Sequence, residues 1–424
     1  MDVCKYPEKE QWAALISRPV FDSTHLYDTV RNVLEDIQIR CDKAVLAYEL
    51  QFDKVELSDL EVSQEEKTQA QTQVSDELKQ AIRIAAQNIF TFHEAQKHVL
   101  PKVETMQGVM CWQKAVAIEK VGLYIPGGTA PLFSSVLMLG IPAKIAGCRE
   151  IILCTPPNRE GKIHPAILFA AETAGVHRIF KIGGIQAIGA MAYGTQTVPK
   201  VYKIFGPGNQ YVTAAKQLVS LKDVAIDMPA GPSEVEVIAD ETANPAFVAS
   251  DMLSQAEHGA DSQAVLVTTS ERLAEQVVAE VAKQLEVLPR KELVIKSLAN
   301  SKIIILRNEE EMIELTNLYA PEHLIIETKN YAGLAEKITN AGSVFLGHYT
   351  PESAGDYASG TNHTLPTNGY AKAYSGVNLD SFLKKITFQE ITREGIAHLG
   401  STIEIMAESE QLWAHRNAVA VRCL

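Results

Sequence analysis

Four residue pairs in the second half of the chain have the types and spacing to do chemistry. Gln255 and His258 stand three apart within Asn244–Asp261. On a helix that spacing puts an amide oxygen and an imidazole on one face, within reach of a single ion. Glu322 and His323 lie side by side in Ala320-Pro321-Glu322-His323, an acid and an imidazole suited to general acid–base work if the pair lies on a loop. Asp356 offers a hard oxygen ligand and His363 a second imidazole, both within the polar run 350–367, read as a long functional loop. Glu410 and His415 are five apart in the last helical stretch, about 140° around an ideal helix. Ser233 precedes a strand and can offer a hydroxyl. Each residue also has a plainer reading: a polar helix end, a strand-capping histidine, a turn serine, a docking surface.

The elements that must position these residues follow from periodicity. Asn244 is a good N-cap and Pro245 suits the first helical position; Phe247, Val248, Met252, Leu253 and Ala256 make an apolar stripe that Gly259 ends. From residue 121 onward, short apolar runs alternate with helical stretches of 10–15 residues, the pattern of βαβ units and a parallel sheet. Three glycine loops fall at strand ends: Tyr124-Ile125-Pro126-Gly127-Gly128, Gly183-Gly184-Ile185-Gln186 and Gly206-Pro207-Gly208-Asn209. None is GxGxxG, so they read as tight turns or as an unusual anion cradle. A second block of the same character follows residue 235. The expected fold is α/β, with two Rossmann-like parallel-sheet domains, one inserted in the other, and small helical extensions at both ends. The expected boundaries are a helical lead-in over 1–20, a larger domain from 21–122 and 235–374, an inserted domain over 123–234, and a helical tail over 375–424.

Composition narrows the function. The chain has 424 residues, 46% hydrophobic and 21% charged, with a formal net charge of −13. That charge argues against nucleic acid or an anionic membrane as partner. The six cysteines include no CxxC pair, which favours a reducing compartment. Without an apolar leader or spanning segment, a cytoplasmic location is expected.

Taken together, GLYIPGG, GPGN, IDMPAGPSEVEV, DMLSQAEHG, APEHL, GDYASGTNHTLPT and AHRNAV resemble the histidinol dehydrogenase family, in family order over residues 122–419. The resemblance implies oxidation of L-histidinol to L-histidine through histidinaldehyde, with two NAD⁺ consumed and one zinc ion per subunit of a homodimer. It implies Gln255, His258, Asp356 and His415 as zinc ligands and Glu322 and His323 as the acid–base pair. Ser233, Glu410, His323 and the metal ligands would bind substrate, Tyr124, Gln186 and Asn209 would line NAD, and the tail would complete the partner's site. Read from the residues alone, three rivals stay open. They are a Cys154-dependent aldehyde oxidation, a zinc hydrolase and a non-catalytic binding protein.

Overall fold

A computed structural model describes residues 1–19, 24–127, 130–229 and 231–423. Strands such as Glu150–Thr155 and Gln263–Thr268 are continuous apolar runs, the pattern expected when both faces of a sheet are covered. They build two parallel sheets. In the five-stranded sheet, Lys120–Tyr124 is central, Glu150–Thr155 and Arg178–Lys181 lie to one side, and Lys203–Phe205 and Ala225–Ile226 to the other. In the six-stranded sheet, Glu234–Ala239 is central, with Gln263–Thr268 and Lys302–Ile305 on one side and His323–Glu327 and Ser343–Leu346 on the other. Apart from a sixth strand at the edge of the larger sheet, Asp2–Lys5, the two units share a strand order: first strand central, next two to one side, last two to the other. The expected α/β architecture with two Rossmann-like parallel sheets is therefore present.

Three expectations differ from the structure. Residues 1–20 are not simply helical, because Asp2–Lys5 forms an edge strand parallel to Lys302–Ile305 before the helix Lys9–Leu15. Residues 24–94 pack on the five-stranded unit, away from the grouping of 21–122 with 235–374. The helix Thr24–Arg40 lies on Gly184–Tyr193 and Gln210–Ser220, and Asp76–Glu94 lies on Phe133–Ala146. The reason is the apolar stripe Val30, Val33, Leu34 and Ile37, which joins one core with Ile188 and Ala215. That expected boundary itself falls on residues 20–23, which lie outside the described residues.

The tail is the third difference. It opens with the nine-residue strand Leu383–Ile391, antiparallel to Val109–Ala117, in a three-stranded sheet completed by Val103–Met106. Its helical part is broken. Arg393–Ser409 ends at Glu410, Gln411 takes a left-handed φ of 61°, and Trp413–Ala420 starts a new helix. Glu410 and His415 are thus on two helices, and the 140° estimate for one continuous helix does not apply. No helix among the described residues is long and apolar enough to cross a membrane.

Candidate active site

The chemistry-bearing residues collect at the N-terminal edge of the six-stranded sheet. Glu322 precedes, and His323 begins, the strand His323–Glu327, which pairs with the central strand through His323 and Val235. The helix after the central strand runs back along the sheet, so its last turn brings Gln255 and His258 to the same edge. A third contributor is the helix Glu352–Tyr357, which packs on Pro245–Ala256. The run 350–367 is therefore not all loop. Glu352 and Asp356, one helical turn apart, project together.

His323 is buried at the centre of this group. Its Nδ1 lies 3.7 Å from Glu322 Oε2, 3.7 Å from Glu352 Oε1 and 3.4 Å from the Glu234 carbonyl; its Nε2 lies 3.6 Å from Asp356 Oδ1. Burial opposes its charge, but Glu322, Glu352 and Asp356 overcome this and raise it to about 10. Burial raises Glu322 to about 7, although His323 and the Glu234 N–H, which donates to Oε2 at 2.9 Å, pull the other way. The result is one buried carboxyl poised near neutrality against one imidazole that retains its proton. Such a pair titrates as a unit.

The donors next to it suit a cation. Ligand atoms of His258, Glu352 and Asp356 all lie within 4.8 Å of one another. Gln255 is fully buried with neither amide atom hydrogen-bonded among the described residues, and both Glu352 oxygens are likewise unpartnered. Buried polar atoms left unpaired are rare and costly. One nitrogen with several oxygens fits a borderline divalent ion such as zinc with room for substrate. Glu352 is not apparent in the sequence, because the stretch has the composition of a loop, which hides its i,i+4 relation to Asp356. His415 does not join this donor group among the described residues; it and Glu410 are exposed on the tail. Ser233, half-buried, immediately precedes Glu234 at the same edge.

His363 ties the two units together. Its Nδ1 donates to the Asp356 carbonyl at 2.9 Å, which leaves Nε2 to accept from Ser135 Oγ at 2.9 Å, at the start of the helix Phe133–Ala146.

Tyr124, Gln186 and Asn209 lie elsewhere, at the C-terminal edge of the five-stranded sheet, and each has an internal partner. Tyr124 Oη accepts from Gly184 N at 3.1 Å; Gln186 Nε2 donates to Glu49 Oε1 at 2.8 Å and Asp53 Oδ2 at 3.0 Å. Glu49 also accepts from Gly183 N at 3.0 Å, so the protein's own groups close the helix start at Gly183-Gly184. Neither Glu49 nor Asp53 stood out in the sequence. Asn209 Oδ1 caps its helix by accepting from Tyr211 N and Val212 N. The loops after Tyr124 and Phe205 flank the point where strand order reverses, the usual ligand crevice of such sheets. They touch backbone to backbone. Gly206 has φ 125°, and a Cβ there would stand 2.0 Å from the Tyr124 carbonyl oxygen. Gly128 of the first loop lies outside the described residues.

A buried acid–imidazole pair at the edge of one sheet and a switch-point crevice at the edge of the other have the make-up of an α/β dehydrogenase. The histidinol dehydrogenase profile matches residues 16–423, and the chain belongs to that family. It is 68% identical over 422 residues to the histidinol dehydrogenase of Bacteroides thetaiotaomicron, covering 100% of this chain and 99% of the relative. That of Campylobacter jejuni is 52% identical over 417 residues, covering 98% and 96%. The crystal structure of histidinol dehydrogenase from Elizabethkingia anophelis superposes with TM-score 0.98 at 57% identity, covering 100% of this chain and 98% of that one.

Proposed function

We propose that the protein oxidises L-histidinol to L-histidine through L-histidinaldehyde, the last steps of histidine biosynthesis, with two NAD⁺ consumed per substrate. The carrying observation is the Glu322–His323 pair, buried and set against the donor group of Gln255, His258 and Asp356.

The chain's own groups divide the work as follows. With Asp356 committed to a cation, Glu322, Glu352 and the Glu234 carbonyl all remain on the Nδ1 side of His323. Drawing Asp356 to the cation also removes one of the carboxylates that hold His323 protonated; the remaining proton stays on Nδ1, and Nε2 is left with the free lone pair. His323 takes the hydroxyl proton of the alcohol as hydride leaves for NAD⁺. The ionised form of Glu322, which titrates at about 7, takes a proton from the water that adds to the aldehyde while His323 returns its proton to the carbonyl oxygen; His323 then takes a gem-diol hydroxyl proton as the second hydride leaves for the second NAD⁺. Bound zinc supplies a Lewis-acidic anchor for the substrate's imidazole and amine, held by Gln255, His258, Asp356 and His415. Ser233 and Glu410 complete the substrate's surroundings, and Tyr124, Gln186 and Asn209 border the NAD crevice. The exposed tail carrying Glu410 and His415 reaches the partner in a homodimer with shared sites. The protein works in the cytoplasm, on a small molecule, with neither nucleic acid nor membrane as partner.

The test is NADH formation at 340 nm on L-histidinol, expected at two NADH per substrate with about one zinc per chain. Absence of NADH from zinc-replete protein overturns the reading. Sharing of sites is tested by co-refolding Gln255→Ala with His415→Ala, each inactive alone. Recovery of at most about half the activity per heterodimer is expected. Verified heterodimers without activity would put His415 in its own subunit's site.

A further inference from the structure

The first residue of the central strand holds both members of the acid–base pair through its backbone. The Glu234 N–H donates to Glu322 Oε2 at 2.9 Å, and the Glu234 carbonyl lies 3.4 Å from His323 Nδ1. A displacement of this one residue therefore moves both catalytic groups. Glu234 begins its strand, at the end of the ladder to both neighbours, so its position also draws on contacts from outside the sheet.

The side chain supplies that fixing. Glu234 is 2% exposed, and both its oxygens accept from the fork of one arginine: Oε2 from Arg18 Nε, and Oε1 from Arg18 Nη2 at 2.7 Å. Arg18 is itself clamped. Its Nη2 also donates to the Tyr319 carbonyl at 2.7 Å, and its guanidinium stacks 4.0 Å over the buried Tyr319 ring. The Tyr319 hydroxyl donates to Gln263 Oε1 at 2.8 Å, and Gln263 Nε2 returns to the Ser17 carbonyl at 3.2 Å. The circuit closes on the residue next to Arg18. No other described segment gives Glu234 a charged partner of this geometry, and a bidentate fork fixes orientation as well as distance.

We propose that Arg18 is a positioning residue for the acid–base pair, holding Glu322 and His323 in place through Glu234. It touches neither substrate nor cofactor. Removing it leaves a buried carboxylate without its countercharge, held only by the backbone N–H groups of Glu322 and Gly369, which is unfavourable, so Glu234 must shift or take a proton and its peptide shifts with it. Misplacement of catalytic groups by about 1 Å costs on the order of a hundredfold in rate.

This inference rests on the proposed roles of Glu322 and His323, so His323→Asn is measured alongside. Arg18→Met should lower kcat roughly ten- to a hundredfold, with a smaller change in KM for histidinol and a far-UV spectrum like the wild type's. Arg18→Lys, which keeps the charge and is the variant to rely on if Met prevents folding, should not restore kcat because an ammonium cannot form the fork. Guanidinium added to Arg18→Ala should recover part of the rate. Losses in Arg18→Met and Glu234→Gln should be non-additive, the double variant no slower than Arg18→Met alone. Folded Arg18→Met or Arg18→Lys with kcat within twofold of wild type, or fully additive losses, overturns the proposal. If instead His323→Asn keeps full rate, the acid–base reading itself falls.

Discussion

The five-stranded and six-stranded units wind the same way around a central first strand, yet the candidate chemistry uses opposite edges of them. At the five-stranded sheet the crevice is at the C-terminal edge, where the helices Phe133–Ala146, Gly184–Tyr193 and Gln210–Ser220 begin. At the six-stranded sheet the cluster lies at the N-terminal edge, where Pro245–Ala256 ends on Gln255 and His258. Helix starts carry roughly half a positive charge and helix ends roughly half a negative one. The first edge thus favours anions only where a helix start is left open, since Gly184–Tyr193 is closed by Glu49 and Gln210–Ser220 by Asn209, whereas the second edge favours a metal ion. In the proposed function, two copies of one winding take ligands of opposite sign by presenting different edges.

The sharpest way to break that comparison is to damage one edge and measure the other. His323→Asn should lower turnover about 10²- to 10⁴-fold, while NAD⁺ affinity by calorimetry stays within about twofold. A parallel loss of NAD⁺ binding would show that the edges are not separable.

Asp356→Ala should come next in size. It removes a proposed ligand and a charge next to His323, so zinc measured by mass spectrometry should fall together with activity, by about a hundredfold or more. Zinc retained at full stoichiometry would exclude Asp356 as a ligand.

On the other sheet, Gly206→Ala places a methyl against the Tyr124 carbonyl in a backbone region that L-residues avoid. Unfolding free energy should drop by about 1–3 kcal/mol and NAD⁺ should bind at least several-fold more weakly, with zinc content unchanged. Zinc loss in this variant would show strain crossing from one unit to the other, along the His363–Ser135 link.

The smallest effect concerns a buried acid away from both edges. Glu236 accepts from Thr316 Oγ1 at 2.5 Å, its other oxygen is unpartnered, and burial raises it to about 8. The folded state thus holds a proton that the unfolded state releases near 4.5. The stability from that proton is complete below about pH 4.5 and lost as pH rises through about 8. Glu236→Gln should melt with the wild type at pH 4 and above it by roughly 2 °C at pH 9. Equal Tm values at both pH values would exclude a charge cost at this site.

Much of this was legible from residue order. The alternation after residue 121 gave away both parallel sheets, because strands buried on both faces read as apolar runs. Gln255 and His258 were visible because the N-cap at Asn244 and the apolar stripe fix their helix and its face. Glu352 was hidden by proline and glycine around it in TPESAGDY, which imitate a loop although only six residues turn helical. Glu49 and Asp53 could not be found locally, since their partners Gly183 and Gln186 are more than a hundred residues away. Arg18 was invisible for the same reason: only the fold brings it to Glu234. The strand Leu383–Ile391 was read as part of a helical tail because its burial is slight on both faces, which erases the alternation that marks a strand.

The edge strand Asp2–Lys5 also governs when this protein can be finished. Its partner is Lys302–Ile305, so this strand waits while about 300 further residues are made. At about 5–20 residues per second that interval is roughly 15–60 s, during which the strand remains unpaired. The five-stranded unit takes its own strands from 120–226, but its core also takes in Val377, Leu379 and Phe382, so it too waits for the C-terminal part of the chain. Arg18 likewise meets Glu234 and Tyr319 only after the chain has passed both.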